Sequence, residues 1–109
     1  MGNEHHLKTW PKPFDDMKRR LKNFEYRKDD REPKFEVGDI LILEEYLEYL
    51  PPMGTKTNGS TTATDIGEYT GEILKRRVTH VYRGGQFGIP NGYCIMSVVP
   101  LKEGDLGFA

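Results

Sequence analysis

Hydrophobic and polar residues alternate along most of this chain in periods that predict several strands and one helix. Residues 5–10 are typical of a short first strand. After two prolines, which suit a first helical turn, Phe14, Met17 and Leu21 recur at the spacing of one helix face. The pattern therefore predicts a short amphipathic helix directly after the first strand.

Two further strands are predicted in the first half of the chain. Phe24 and Tyr26 alternate with Glu25 and Arg27, which is typical of a half-buried strand. Residues 40–43 are apolar at every position, so this segment is expected to be a central strand with both faces covered.

The second half contains the longest alternating segment, residues 73–83, and a last strand at 93–99. The alternation predicts two sides, with Leu74, Val78 and Tyr82 on one and Lys75, Arg77 and Arg83 on the other. Val81 breaks this pattern, because it is an apolar residue on the polar side. The glycine-rich residues 83–92 predict a turn between the last two strands.

Residues 47–67 have no apolar period and are rich in threonine, glycine and proline, so they predict a flexible loop insertion. The chain has 109 residues, which suits one domain spanning residues 1–109. One helix and four or five strands joined by mostly short connections predict an α+β, mainly β fold built as a small barrel.

Charge is unevenly distributed, although the formal net charge is only -1. Residues 1–34 hold ten Lys/Arg against seven Asp/Glu, residues 35–74 hold one against eight, and residues 75–109 hold five against two. If the two basic ends meet in the fold, a nearly neutral protein can carry a basic face. The alternative is that these are ordinary solvated charges.

Several function classes are not expected from the composition. The longest apolar run has four residues, far below a membrane span, and the polar first eight residues contain no signal-peptide core. A single cysteine, Cys94, suits a reducing compartment, so we expect a cytoplasmic protein. We also expect the protein to be a monomer. The histidines and Cys94 lack the spacing of a zinc site, so we predict no metal and no cofactor.

Ordered sequence blocks along nearly the whole chain resemble a domain-of-unknown-function family of bacteria and phages within the ASCH superfamily. The blocks are His5-x-Leu7-Lys8-Thr9-Trp10-Pro11, Lys22-x-Phe24-Glu25-x-Arg27, Asp30-Arg31, Phe35-x-Val37-Gly38-Asp39-Ile40-Leu41, Glu45-Tyr46, Tyr69-Thr70-Gly71, Val78-Thr79-His80-Val81, Gly84-Gly85-x-Phe87-Gly88-Ile89 and Gly92-Tyr93-x-Ile95-Met96-Ser97.

The resemblance implies a PUA-like β-barrel with an RNA-binding cleft beside the first helix. It also implies an alternative, because one type within the superfamily is an amidohydrolase that removes the acetyl group of N4-acetylcytidine. The superfamily motif reads Gly-x-Lys-Thr at the helix end, where this chain has Arg20 for the glycine and Asn23 for the threonine. Lys22 matches the lysine, but Asn23 has no hydroxyl nucleophile.

The candidate ligand-binding residues are Lys8, Trp10, Lys22, Glu25, Arg27, Arg31 and Arg83. Glu25 and Arg27, two apart on a strand, share a face, and Lys22 just before the strand can reach the same opening. In this hypothesis Glu25 contacts a base edge and Arg27 a phosphate. The alternative for these three residues is a structural ion pair on a wet strand face.

Three functions remain open from the sequence. The first is a non-catalytic module that binds RNA or a nucleotide-like ligand. The second is an amidohydrolase acting on a modified pyrimidine nucleoside, with Lys22 as its catalytic base. The third is a phage-derived protein-interaction module that uses the threonine-rich loop or the acidic middle of the chain.

Overall fold

The computed structural model describes residues 2–48 and 67–101. Within these ranges the elements are β1 (Glu4–Thr9), α1 (Pro11–Lys18), β2 (Phe24–Lys28), β3 (Ile40–Glu48), β4 (Gly67–Arg83) and β5 (Tyr93–Pro100). The predicted mainly β fold with one N-terminal helix is confirmed for the described residues. The predicted loop overlaps β3 at residues 47–48 and β4 at Gly67, and residues 49–66 lie outside the described residues.

The strands form one curled sheet in the order β1-β3-β4-β5-β2, which makes a half-barrel of the described chain. β1 pairs with β3 in parallel, and the other neighbours are antiparallel. β3 lies inside the sheet, and Leu41 and Leu43 are fully buried, which confirms the prediction of a central strand. The two edges of the sheet are therefore β1 and β2, which lie on either side of α1 in the chain.

The helix buries only the first part of its predicted apolar stripe. Phe14 and Met17 pack into the core, but Leu21 is 68% exposed, so its predicted place on the helix face was wrong. The reason is that α1 ends at Lys18 and Arg20 takes a φ of 63°, the left-handed conformation that reverses the chain at many helix ends. This turn directs Lys22 towards β2.

The buried guanidinium of Arg76, on β4, fixes the end of the helix to the sheet. Its NH2 group donates to the carbonyl oxygen of Met17 at 3.0 Å. Burial, and then the charge of Arg20, lower the pKa of Arg76 from its ordinary value. The helix end that leads to Lys22 is thus held by a specific contact as well as by apolar packing.

A β-bulge divides β4 into two halves, and the residue positions that point to the core in the first half differ in parity from those in the second half. The register against β5 shifts between Val78 and His80. Before the shift Val78 faces the core, whereas after it Val81 packs against the core and Tyr82 is 45% exposed. The prediction that Tyr82 shares a side with Val78 was therefore wrong, because one extra residue exchanges the two faces of a strand.

No helix within the described ranges has the length and hydropathy needed to cross a bilayer.

Candidate functional site

A cleft of about 440 Å³ lies where the two edge strands approach each other beside the start of α1. Its volume falls within the roughly 300–1,000 Å³ that is usual for small-molecule sites. Its described lining residues come from β1, α1, β2 and the segments that join them: Lys8, Thr9, Trp10, Pro13, Lys22, Glu25, Tyr26 and Arg27. Five of the seven candidate residues named from the sequence are in this set.

β2 presents Glu25 and Arg27 inward and its aromatic residues outward. Glu25 is 2% exposed, whereas Phe24 and Tyr26 are both exposed on the other face. A carboxylate is rarely buried to this extent without partners, because its desolvation must be offset by ion pairs or hydrogen bonds. The wet strand face that the sequence left open as an alternative does not describe Glu25.

Each oxygen of Glu25 is engaged by a different cation. Lys22 Nζ donates to Oε2 at 2.7 Å, and Arg27 Nε donates to Oε1 at 2.8 Å. These are charge-assisted hydrogen bonds of short length. Glu25 is thus placed to hold two cations in position at the cleft wall, rather than to offer a free carboxylate to a base.

Arg27 also joins the two edges of the sheet. Its NH1 donates to the carbonyl oxygen of Lys8, and its NH2 donates to Thr9 Oγ1, both at 3.2 Å. Thr9 Oγ1 in turn donates to the carbonyl oxygen of Leu7. The Arg27 side chain therefore connects β1 and β2, which do not pair through their backbones in the described sheet.

The two cations keep hydrogen-bonding capacity for a ligand. A guanidinium has five N–H groups, and the described contacts of Arg27 use three of them. The ammonium of Lys22 has three, and its hydrogen bond to Glu25 uses one. The described lining contains three cations and one carboxylate, so the cleft carries a net positive charge and is suited to an anion.

An exposed aromatic ring lies beside these cations. Trp10 is 59% exposed and occupies the N-cap position of α1 without making a side-chain capping bond. The Lys8 ammonium lies 4.3 Å from the centroid of the Tyr46 ring, a cation–π contact on β3. An exposed ring next to fixed cations is the arrangement that stacks a base and holds its phosphate.

Arg31 and Arg83, the other two candidates, lie outside the cleft lining. Arg83 NH1 donates to Asp29 Oδ2 at 2.6 Å, and its NH2 lies 3.1 Å from Glu36 Oε1. Burial works against the charge of Arg83, but Asp29 and then Glu36 outweigh it, and the pKa of Arg83 is raised. Arg31 lies over the ring of Phe35 and has its NH1 3.4 Å from His5 Nδ1.

Thr9, Pro13 and Tyr26 are the lining residues that were not among the candidates from the sequence, and Thr9 is the one that contacts the charged group. It is buried, and its hydroxyl fixes one nitrogen of Arg27. The available signal was the alternation of β1, in which His5, Leu7 and Thr9 face inward. Thr9 is a polar residue at the end of a row of buried side chains, so its hydroxyl needs a hydrogen-bond partner. The alternation does not indicate that this partner is Arg27, which lies 18 residues further along the chain.

Among the cleft-lining side chains, Thr9, Lys22 and Glu25 are all engaged in hydrogen bonds. Within the described ranges no cluster of three or more His, Cys, Asp or Glu side chains is arranged to hold a metal ion. The Thr9 hydroxyl is already engaged with Leu7 and Arg27, and the Asn23 side chain is exposed. The cleft residues described above are suited to bind an anion beside a planar group.

Comparison with known proteins identifies a family for most of the chain. Residues 4–98, which include every residue of the cleft lining, match a family described as a domain of unknown function, DUF3850. No curated protein matches the chain. Because the match covers far more than half of the 109 residues, the chain belongs to the DUF3850 family.

Proposed function

We propose that this domain is a non-catalytic module that binds one nucleotide, free or within an RNA strand, in the cleft between β1 and β2. The observation that carries the proposal is the pair of cations, Lys22 and Arg27, that the buried Glu25 holds beside the exposed Trp10. In the bound state the base stacks on Trp10. The phosphate accepts hydrogen bonds from Lys22 and Arg27.

The proposal also includes a superfamily, a class of source organism and a cellular location. The sequence blocks that resemble the ASCH superfamily support a PUA-like assignment and an origin in bacteria or their phages. A single cysteine supports a reducing, cytoplasmic setting, and we take the module to act as a monomer.

The experiment is a titration of labelled adenosine 5′-monophosphate against the wild type and Lys22→Ala at two salt concentrations. Loss of one charged hydrogen bond costs about 1.5–3 kcal/mol, so the variant should bind roughly 10- to 150-fold more weakly. Binding by the wild type should also weaken as salt rises, because the contact is with a phosphate.

Lys18→Ala is the matched control for this titration. Lys18 is the last residue of α1, four residues before Lys22, pairs with Glu72 on the surface and does not line the cleft. Its variant should bind as the wild type does. Absence of saturable binding by the wild type, or equal binding by the Lys22 and Lys18 variants, would count against the proposal.

Hydrolysis of N4-acetylcytidine stays a prediction from the resemblance. The Lys22 side chain is held in an ion pair with Glu25, so the group that would act as the base already has a partner. Turnover of N4-acetylcytidine by the wild type that is lost in Lys22→Ala would replace the binding proposal with the enzyme.

A further inference from the structure

The outer surface of β2, β5 and the end of β4 is rich in exposed aromatic rings. Tyr26 pairs with Ile95, which pairs with Tyr82, and all three side chains point away from the core. A second row in the same register runs through Phe24, Ser97 and His80. We define the outer aromatic face by its members: Phe24, Tyr26, His80, Tyr82, Phe87, Tyr93 and Ile95.

Phe87 extends this face from the loop between β4 and β5. Its ring lies 5.0 Å from that of Tyr82, and the residue is 76% exposed. Its φ is 52°, a left-handed conformation that is costly for a bulky side chain and favours glycine. Neither burial nor backbone preference accounts for a phenylalanine here, which points to a role at the surface.

The charges around the outer aromatic face are complementary to an anionic partner. Among the described outward positions of β2, β5 and the end of β4 there is no carboxylate, and Lys28 lies at the end of β2. Lys22 Nζ lies 5.1 Å from the centroid of the Phe24 ring. Exposed aromatic patches of this kind mark interaction surfaces, and the added positive charge favours nucleic acid over an apolar protein partner.

The outer aromatic face is continuous with the cleft. Tyr26 belongs to the face and also lines the cleft, and Lys22 lies against both the Glu25 carboxylate in the cleft and the Phe24 ring on the face. A strand with one nucleotide in the cleft can therefore cross the free edge of β2 and continue over the sheet.

We propose that the outer aromatic face binds the bases of single-stranded RNA that extends from the nucleotide in the cleft. This inference rests on the proposed function, and it adds a second surface with a different contact, base stacking on rings that lie outside the cleft. Rings on the outer face of a sheet stack bases without strong sequence preference, so the module recognises a length of single strand.

The test compares a labelled oligoadenylate of about ten nucleotides, within the usual range of single-strand site sizes, with adenosine 5′-monophosphate. The variants are Phe87→Gly, in which the φ of 52° favours the new residue, and Tyr82→Ala. Each should weaken oligoadenylate binding at least about fivefold through loss of a stacking ring and leave binding of the monophosphate unchanged.

Ile73→Ala is the matched control, since Ile73 is a 49% exposed apolar residue on the half of β4 that pairs with β3. It should bind both probes as the wild type does. Thermal unfolding of each variant separates loss of a ring from loss of the fold, and Phe87→Gly should melt no lower than the wild type.

Three outcomes would overturn the inference while leaving the cleft proposal standing. One is oligoadenylate binding that neither variant weakens. The second is wild-type binding of the oligoadenylate no tighter than that of the monophosphate. The third is self-association of the wild type that Phe87→Gly abolishes, which would assign the face to a second copy of the chain. If neither probe binds, the proposed function itself fails.

Discussion

Two buried carboxylates four residues apart, Glu25 and Asp29, are each paired with an arginine, yet the two regions around them differ in charge balance. The Glu25 region is the cleft, whose described lining has one carboxylate against the cations Lys8, Lys22 and Arg27. The Asp29 region is balanced, with three carboxylates and three cations: Asp29, Glu36 and Asp39 with Arg31, Lys34 and Arg83.

The difference separates a binding arrangement from a structural one. In the Asp29 region, Arg83 bonds to a carboxylate and a backbone carbonyl, and Asp39 accepts hydrogen bonds from His5 and two backbone amides. Arg27 in the cleft and Arg83 in the Asp29 region each make three such contacts, and Asp29 Oδ1 and Arg31 Nε have no described partner, so unused polar groups do not distinguish the two regions. The excess of positive charge in the cleft lining does. An arginine beside a buried carboxylate therefore indicates a ligand site only where positive charge is left over at an opening.

The largest expected effect that follows from this comparison is on stability. Arg83→Ala leaves the buried Asp29 without its cation and should lower the free energy of unfolding by about 3 kcal/mol, measured by urea denaturation. Its binding of adenosine 5′-monophosphate should not change, because Arg83 is outside the cleft. Arg19→Ala is the control, an exposed arginine paired with Asp15, and should cost less than about 1 kcal/mol. Weakened binding with unchanged stability in Arg83→Ala would reverse the assignment of the two regions.

A smaller effect is expected on the aromatic side of the cleft. Trp10→Ala should weaken binding of adenosine 5′-monophosphate by about 1–3 kcal/mol, roughly 5- to 150-fold, and leave binding of inorganic phosphate unchanged. Calorimetric titration with both ligands measures the difference. Leu21→Ala removes a comparably exposed apolar side chain outside the cleft lining and serves as the control. Equal loss for both ligands would mean that Trp10 supports the fold of the cleft instead of stacking a base.

An effect that is confined to alkaline pH, and is absent at neutral pH, is expected at Cys94, which lies in the core near the Asp29 region. Burial, and then the charge of Asp29, raise the pKa of the Cys94 thiol to about 11. Between its ordinary pKa of 9.0 and about 11, the unfolded chain binds fewer protons at this group than the folded chain, so stability should fall as pH rises through that window. Cys94→Ala should lose this part of the pH dependence.

Thiol labelling checks the same point at neutral pH. Iodoacetamide should modify Cys94 in the urea-unfolded protein and leave the folded protein unmodified, because the residue is fully buried and the thiolate is the reactive form. Rapid labelling of the folded protein would show that the Asp29 region opens to solvent, as the cleft does.

Much of the fold was predictable because it depends on local periodicity. The strands, the helix start after Trp10 and the central place of residues 40–43 all follow from short-range patterns. Leu21 was placed wrongly because the left-handed turn at Arg20 ends the helix earlier than its apolar spacing suggests. Tyr82 was placed wrongly because the bulge exchanges the two faces of β4. The sequence signal for this bulge was Val81, an apolar residue at a position where the alternation predicts a polar one.

The candidate site was partly predictable for the same reason. Glu25 and Arg27 share a face by strand periodicity, and Lys22 is close in sequence. The partners of Arg83 lie 47 to 54 residues away, and the bulge turns Arg83 inward, so its structural role depends on long-range contacts that the pattern does not contain. The contact of Arg27 with Thr9 was not predictable either, because it depends on the curling of the sheet that brings the edge strands β1 and β2 together.

The most direct test of the cleft as a nucleotide site is a titration of the isotope-labelled protein with adenosine 5′-monophosphate, followed by amide and side-chain NMR shifts. Saturable shifts are expected at Thr9, at the Trp10 indole and at Lys22 and Arg27, with none in residues 29–36 or at Arg83. Shifts concentrated at residues 29–36, or no saturable shift at the cleft, would contradict the cleft as a nucleotide site.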